Sequence, residues 1–174
     1  MEGRIDDADR LVALTESETE TESRVPAPLI RTGRDSDLIE LLAIESKSFV
    51  GDRLSKRSFR HHLSNSNSDL LVAVDEHDIP MGYALISYRR RAKMARLDSL
   101  AILPTKASSG LGSALLANCE ARVIARGIGI RLEVRADNTR AIGFYERRHY
   151  LRFGEIPDYY EDGETALLFY RPFA

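Results

Sequence analysis

The chain has 174 residues, a formal net charge of −2 and a mean hydropathy of −0.29, which fits one domain with a core and excludes a global pull toward nucleic acid or an anionic membrane. Cys119 is the single cysteine, which excludes a disulfide framework and a cysteine-based zinc cluster, and no apolar run nears the ~18 residues of a membrane span. The acidic N-terminus lacks the basic flank and apolar stretch of a secretion signal, so a cytoplasmic location is expected.

Residues 1–27 hold eight acids and three arginines, a net of −5, which leaves +3 for residues 28–174. The run TESETETES (15–23) has no apolar residue to offset its ordering entropy, so 1–27 is expected to be a disordered acidic tail with room for a short helix near Ala8–Leu14. It is either an inert extension or a segment that docks on a basic surface. From Leu29, LIRTG reads as a strand and DSDLIELLAIESKSF as an amphipathic helix, followed by a shorter helix, SKRSFRHHLS, capped by Ser55. DLLVAVD and MGYALISYR are strands joined by the turn EHDIP. The basic link YRRRAKMAR (88–96) leads into the strand ARLDSLAIL; it is either a solvated hairpin or an attractor for an acidic partner.

A glycine turn then opens a helix that runs to about Arg126 and is stopped by Gly127 and Gly129. IRLEV is a strand, NTRAIGFYERR a helix with Asn138 as its cap, and LRFGEI with ETALLFY a last antiparallel pair. The order βααβββαβαββ predicts an α/β fold over 28–174, with a mixed central sheet and helices on both faces.

Three stretches carry chemistry. PTKASSGLGSALL (104–116) lacks the Gly-Lys-Ser/Thr of a nucleotide loop, and Leu115 stands where a dinucleotide fingerprint needs a third glycine. Spacing alone therefore leaves a phosphate cradle and a plain turn both open. Glu133 lies between apolar Leu132 and Val134, so its side chain faces away from the apolar row; pairing with Arg131 or Arg135 is the alternative to a catalytic role. Asn138 and Tyr145 lie seven residues apart, two turns along one helix face, and a tight strand-to-helix return brings Tyr145 to the same sheet end as Glu133. Tyr145 is otherwise a packed aromatic. His61, His62 and His77 show no metal-ligand spacing, so no metal is expected.

Together the glycine turn, LEVRADNTRAIGFYERRHY and DYYEDGETALLF resemble the GNAT superfamily of N-acetyltransferases from about Leu29 to Phe173, and within it the branch of protein N-terminal acetyltransferases that includes the ribosomal-protein alanine enzymes. That resemblance implies an acyltransferase moving the acetyl group of acetyl-CoA directly to a primary amine, with the α-amino group of a protein or peptide as first choice. Acetylation of a small-molecule amine or a lysine, or a non-catalytic acyl-CoA-binding module, are the alternatives. Glu133 is implied as general base and Tyr145 as the donor to the departing thiolate. Ser108, Ser109, Gly110, Leu111, Gly112 and Ser113 would hold the pyrophosphate, Leu100, Ala101, Ile102 and Leu103 the pantetheine arm, and Asn138 would steady it. Phe49, Leu54, Tyr159 and Tyr160 would line the acceptor entrance.

Three departures from the family's pattern stand out. Ala107 replaces the usual Arg or Gln before the glycines, His149 stands at a left-handed helix end that is usually glycine, and Thr165 replaces a common aspartate. Cys119 falls on the helical row Leu111, Leu115, Val123 and is expected in the core. Neither a membrane nor nucleic acid is expected as a partner, and the oligomer is a monomer or homodimer.

Overall fold

A computed structural model describes residues 27–173, so the expected acidic tail and its short helix lie outside the described residues up to position 26. The elements follow the predicted order: β1 (Leu29–Thr32), α1 (Leu38–Ser48), α2 (Lys56–Ser64), β2 (Ser68–Val74), β3 (Pro80–Ser87), β4 (Met94–Ile102), α3 (Leu111–Ala125), β5 (Gly129–Arg135), α4 (Thr139–Glu146), β6 (Leu151–Ile156) and β7 (Ala166–Arg171). Both predicted caps form, Ser55 Oγ accepting from the Ser58 N–H and Asn138 Oδ1 from the Ala141 N–H, so donors left over in each first turn are satisfied.

Two details differ from the sequence reading. Residues 35–37 wind as a 3-10 turn ahead of α1, because the Asp37 carboxylate accepts the Arg34 N–H at 2.7 Å. Gly129 opens β5 instead of stopping α3: a Cβ there would stand 2.9 Å from the Arg171 carbonyl oxygen, so glycine is required by the neighbouring strand. Gly127, at φ 65°, ends the helix without it.

The seven strands run in the order β1-β2-β3-β4-β5-β7-β6, and only β4–β5 is parallel. Alternation along the strands gives the sheet two apolar faces. On one, Leu41, Ile44 and Phe59 of α1 and α2 pack on Leu70, Val72, Tyr83 and Leu85. On the other, Leu115, Leu116 and Cys119 of α3 meet Leu71, Ala84, Ile86, Ile130 and Leu132, with Tyr145 of α4 in the same cluster. Each such side chain removed from water contributes about 1.5–3 kcal/mol. Cys119 is fully buried, and burial pushes its thiol up to about 12, so it is a packing residue and a poor nucleophile.

Two irregularities open the sheet at its centre. Leu85 pairs with Ser99 but Ile86 pairs with Leu97, leaving Asp98 as the extra residue of a β-bulge. The bulge reverses the facing of β4: Ala95 and Leu97 join the α3 side, whereas Ala101 joins the α1 side. On the other edge, β4 and β5 pair only over Met94–Leu97 and Gly129–Leu132. Past that point the two strands part and leave a wedge between them.

Candidate active site

The wedge is a groove of about 660 Å³, with Leu97–Leu100 of β4 and Leu132–Arg135 of β5 as its walls. Phe49 and Leu54 from the α1–α2 link close one side, Asn138, Ala141 and Tyr145 of α4 another, and Tyr160 of the β6–β7 loop a third. Of the sequence-predicted residues, Glu133, Tyr145, Asn138, Leu100, Phe49, Leu54 and Tyr160 therefore meet in one cavity. Ala101 and Leu103 do not line it; they belong to the α1-side core. Ile102 packs on the opposite core and lies 3.9 Å from where a Gly112 Cβ would be. Tyr159 does not line the cavity either; it is 40% exposed and packs edge-to-face on Tyr160.

Glu133 does face away from the apolar row, and its side chain is only 10% exposed. Its Oε2 accepts from Arg96 Nε at 2.9 Å and its Oε1 from Arg131 at 3.0 Å. Arg135 is not a partner: its guanidinium binds Asp137 and Asp162 and stacks over the Tyr160 ring at 4.8 Å. Glu133 lines the groove, and each of its carboxylate oxygens has capacity for a further donor. Tyr145 is 7% exposed, its ring in edge-to-face contact with Phe144 and Tyr150. Among the described residues its hydroxyl has no hydrogen-bond partner and no fully buried side-chain polar atom goes unpaired, so the hydroxyl reaches the open groove. Burial pushes the phenol above its ordinary range and keeps it protonated. Burial likewise raises Tyr160, to about 12.

Ser108, Ser109, Gly110, Leu111, Gly112 and Ser113 do not line the groove; their turn lies against α4, with Gly112 facing Phe144. Ser108 (φ 64°) and Gly110 (φ 85°) are both left-handed, and Gly110 is the helix N-cap. The first bond of the helix runs from the Ala114 N–H to the Gly110 carbonyl, which leaves the amides of residues 110–113 outside the ladder. A Cβ on Gly112 would make only ordinary contact with Phe144, so nothing in the chain itself demands glycine there. Two guanidiniums stand on this turn: Arg140 donates to Ser108 Oγ at 3.0 Å, and Arg148 donates to Ser113 Oγ. His149 takes the left-handed helix-end conformation expected of it, at φ 63°.

Sequence reasoning missed four residues here. Glu45, on α1 and 3% exposed, accepts from the Leu54 N–H at 2.7 Å and from the Tyr83 hydroxyl, which itself lies 2.9 Å from Ser99 Oγ. It fastens the acceptor-side link to β3 and β4. An acid within an otherwise apolar helix face was the available signal. Arg96, Arg140 and Arg148 gave no signal beyond charge, because the partners that matter here, Glu133, Tyr159, Ser108 and Ser113, lie 32–63 residues away.

The acetyltransferase (GNAT) family model matches residues 37–150, more than half of the chain and all of the groove except its β6–β7 side. The chain belongs to that family. It is an acyltransferase on those grounds, and the α/β fold that the sequence resemblance implied is the family's. Among solved structures, the ribosomal-protein-S18-alanine N-acetyltransferase of Escherichia coli is 24% identical with a TM-score of 0.76, covering 85% of this chain and 95% of its own. The NatC complex bound to Gag peptide and CoA superposes with a TM-score of 0.72 at 18% identity, covering 84% and 98% of the respective chains. Nourseothricin acetyltransferase gives 0.68 at 22%, covering 84% and 98%. At such identities the likeness is one of fold. Among curated protein sequences no relative matches the chain. Ala107 supplies no polar side chain to the turn, whereas Arg140 and Arg148 bond to its serines.

Proposed function

We propose that the protein acetylates the free α-amino group of a protein or peptide, using acetyl-CoA in a ternary complex. The observation that carries the reading is a single cavity in which a guanidinium-held carboxylate, Glu133, and a buried but groove-facing phenol, Tyr145, meet beside an amide-rich helix N-terminus. The turn suits a pyrophosphate: unladdered amides at residues 110–113, the positive end of a 15-residue helix, a glycine at 112 the fold does not need, and two arginines within reach. Ser108–Ser113 would hold the diphosphate and Leu100–Leu103 the arm, which leads toward the groove past Asn138, whose amide nitrogen remains free of the helix cap.

When bound, the cofactor supplies an activated acetyl thioester. Glu133 accepts a proton from the incoming ammonium, directly or through one water, freeing the nitrogen lone pair to form the C–N bond; the second proton the nitrogen sheds as the C–S bond breaks passes to the departing sulfur, so the products are the amide and a free thiol. Tyr145 donates a hydrogen bond to the leaving sulfur. Its phenol is held above the reference ~10 and a thiol's reference is ~8.5, so it steadies the thiolate without surrendering its proton outright. An α-amine suits this machinery: its pKa of ~7.7–8.0 leaves a useful neutral fraction at pH 7, against a lysine's ~10.4. Cys119 takes no part, which agrees with direct transfer.

Steady-state kinetics with Glu133→Gln and Tyr145→Phe, run beside calorimetric CoA titration, test the reading. Loss of turnover with CoA affinity intact supports the assigned roles; full turnover in both variants removes them.

A further inference from the structure

A second cavity, of about 350 Å³, lies at the other end of β4, outside the groove. It is lined by Arg89, Lys93, Arg96 and Arg131, together with Ser87, Ala92 and Met94. Arg96 and Arg131 spend their charge on Asp98 and Glu133. Arg89 and Lys93 form no salt bridge among the described residues, so the cavity keeps two uncompensated cations. Its frame is fixed: the Ala92 N–H donates to the Arg89 carbonyl at 3.0 Å, and the Gly129 N–H to the Lys93 carbonyl at 2.9 Å.

Arg96 lines the basic cavity and ties it to the groove by its bond to Glu133. One edge of its guanidinium binds Glu133, another binds Asp98 at 3.0 Å, and its NH2 donates to the Tyr159 hydroxyl at 3.0 Å. An amine poised at Glu133 thus stands one guanidinium away from the basic cavity. Along β5 the step from Glu133 to Arg131 is two residues, about 6.6 Å. An extended peptide covers that in two residues, at about 3.3–3.6 Å each. The two cavities differ in sign: the groove is lined by Asp52, Asp98, Glu133, Asp137, Glu161 and Asp162, whereas the charged lining of the second cavity is basic throughout. A substrate with an N-terminal ammonium and a carboxylate one or two residues on matches both.

We propose that the basic cavity is a subsite for an acidic side chain at the second or third residue of the acceptor. The proposal rests on reading the groove as an acceptor site for peptide N-termini, and it assigns to Arg89 and Lys93 the selection of acidic sequences. It gives the basic link before β4 a role that a solvated hairpin would not have.

The test uses the full chain and matched peptides with free N-termini, carrying Ala, Asp, Glu or Lys at position two or three. An acid at one of these positions lowers KM about tenfold relative to alanine, equivalent to about 1.4 kcal/mol, with little change in kcat. Raised salt and the Arg89→Ser/Lys93→Ser double variant both abolish that gain, while the alanine peptide is processed as before. Equal KM values across the panel, or an acid preference that survives in the double variant, overturn the subsite. If no peptide is acetylated, fluorescence anisotropy of a labelled acidic peptide separates the two claims. Binding that the double variant loses keeps the subsite while the N-terminal acetylation reading falls, and absence of binding removes both.

Discussion

The groove and the glycine turn are built by opposite means. At the glycine turn, which we propose holds the pyrophosphate, the groups on offer are backbone: amides at a helix start after left-handed Ser108 and Gly110, with Arg140 and Arg148 bonded to its serines. Around Glu133 they are side chains held by other side chains, with Arg96 linking Glu133, Asp98 and Tyr159. A backbone site tolerates the loss of a contact such as the one Ala107 removes, because the amides and the dipole stay. A side-chain site does not, since each group is oriented by its neighbour. Substitutions at the turn should therefore give graded effects, and substitutions around Glu133 should give collapse.

The largest effect should come from the side-chain site. Glu133→Gln is expected to lower turnover by about 10²–10⁴, with CoA affinity unchanged by calorimetry, because a positioned proton acceptor contributes on that order. At the turn, Arg140→Ala should weaken CoA binding by about tenfold and leave peptide KM unchanged. A charged hydrogen bond is worth about 1.5–3 kcal/mol and partial exposure trims it. If Arg140→Ala instead abolished binding, the contrast between the two sites would break.

The same contrast explains what could be read in advance. The order of elements, both caps and the left-handed His149 follow from local patterns in the sequence: alternation, a hydroxyl or amide before a helix, a residue forced past the helix end. Glu133 and Tyr145 were legible because a strand and the helix after it set their facing. Arg96 was not, because its value depends on Tyr159, sixty-three residues on, and on a bulge at Asp98 that no local pattern announces. Glu45 escaped for a similar reason: its partners, Leu54 and Tyr83, come from a link and a distant strand.

Smaller effects sharpen the picture away from the chemistry. Glu45→Ala leaves the Leu54 N–H without its acceptor, at a cost of about 1–3 kcal/mol, and leaves the Tyr83 hydroxyl only Ser99 Oγ as a partner. A fall in thermal midpoint of about 4 °C or more should follow, together with a raised acceptor KM. At the far edge of the sheet, burial pushes the Asp37 carboxyl up, but the Arg31 guanidinium and the Arg34 N–H outweigh it and hold the group below its usual range. The folded value lies under the unfolded one, so the stabilisation is complete above about pH 4 and fades as pH falls through the folded value. Asp37→Asn should therefore be less stable than the parent at neutral pH and lose less on acidification, which denaturation at pH 6 and pH 3 would measure.

Mass spectrometry of one acceptor mixture incubated with acetyl-CoA tests the central claim most directly. The mixture holds peptides with free N-termini, the same sequences N-blocked and carrying one lysine, and small polyamines. Acetyl groups confined to the free N-termini are the predicted result, and acetylation of the blocked lysine peptides or the polyamines in their place would contradict it.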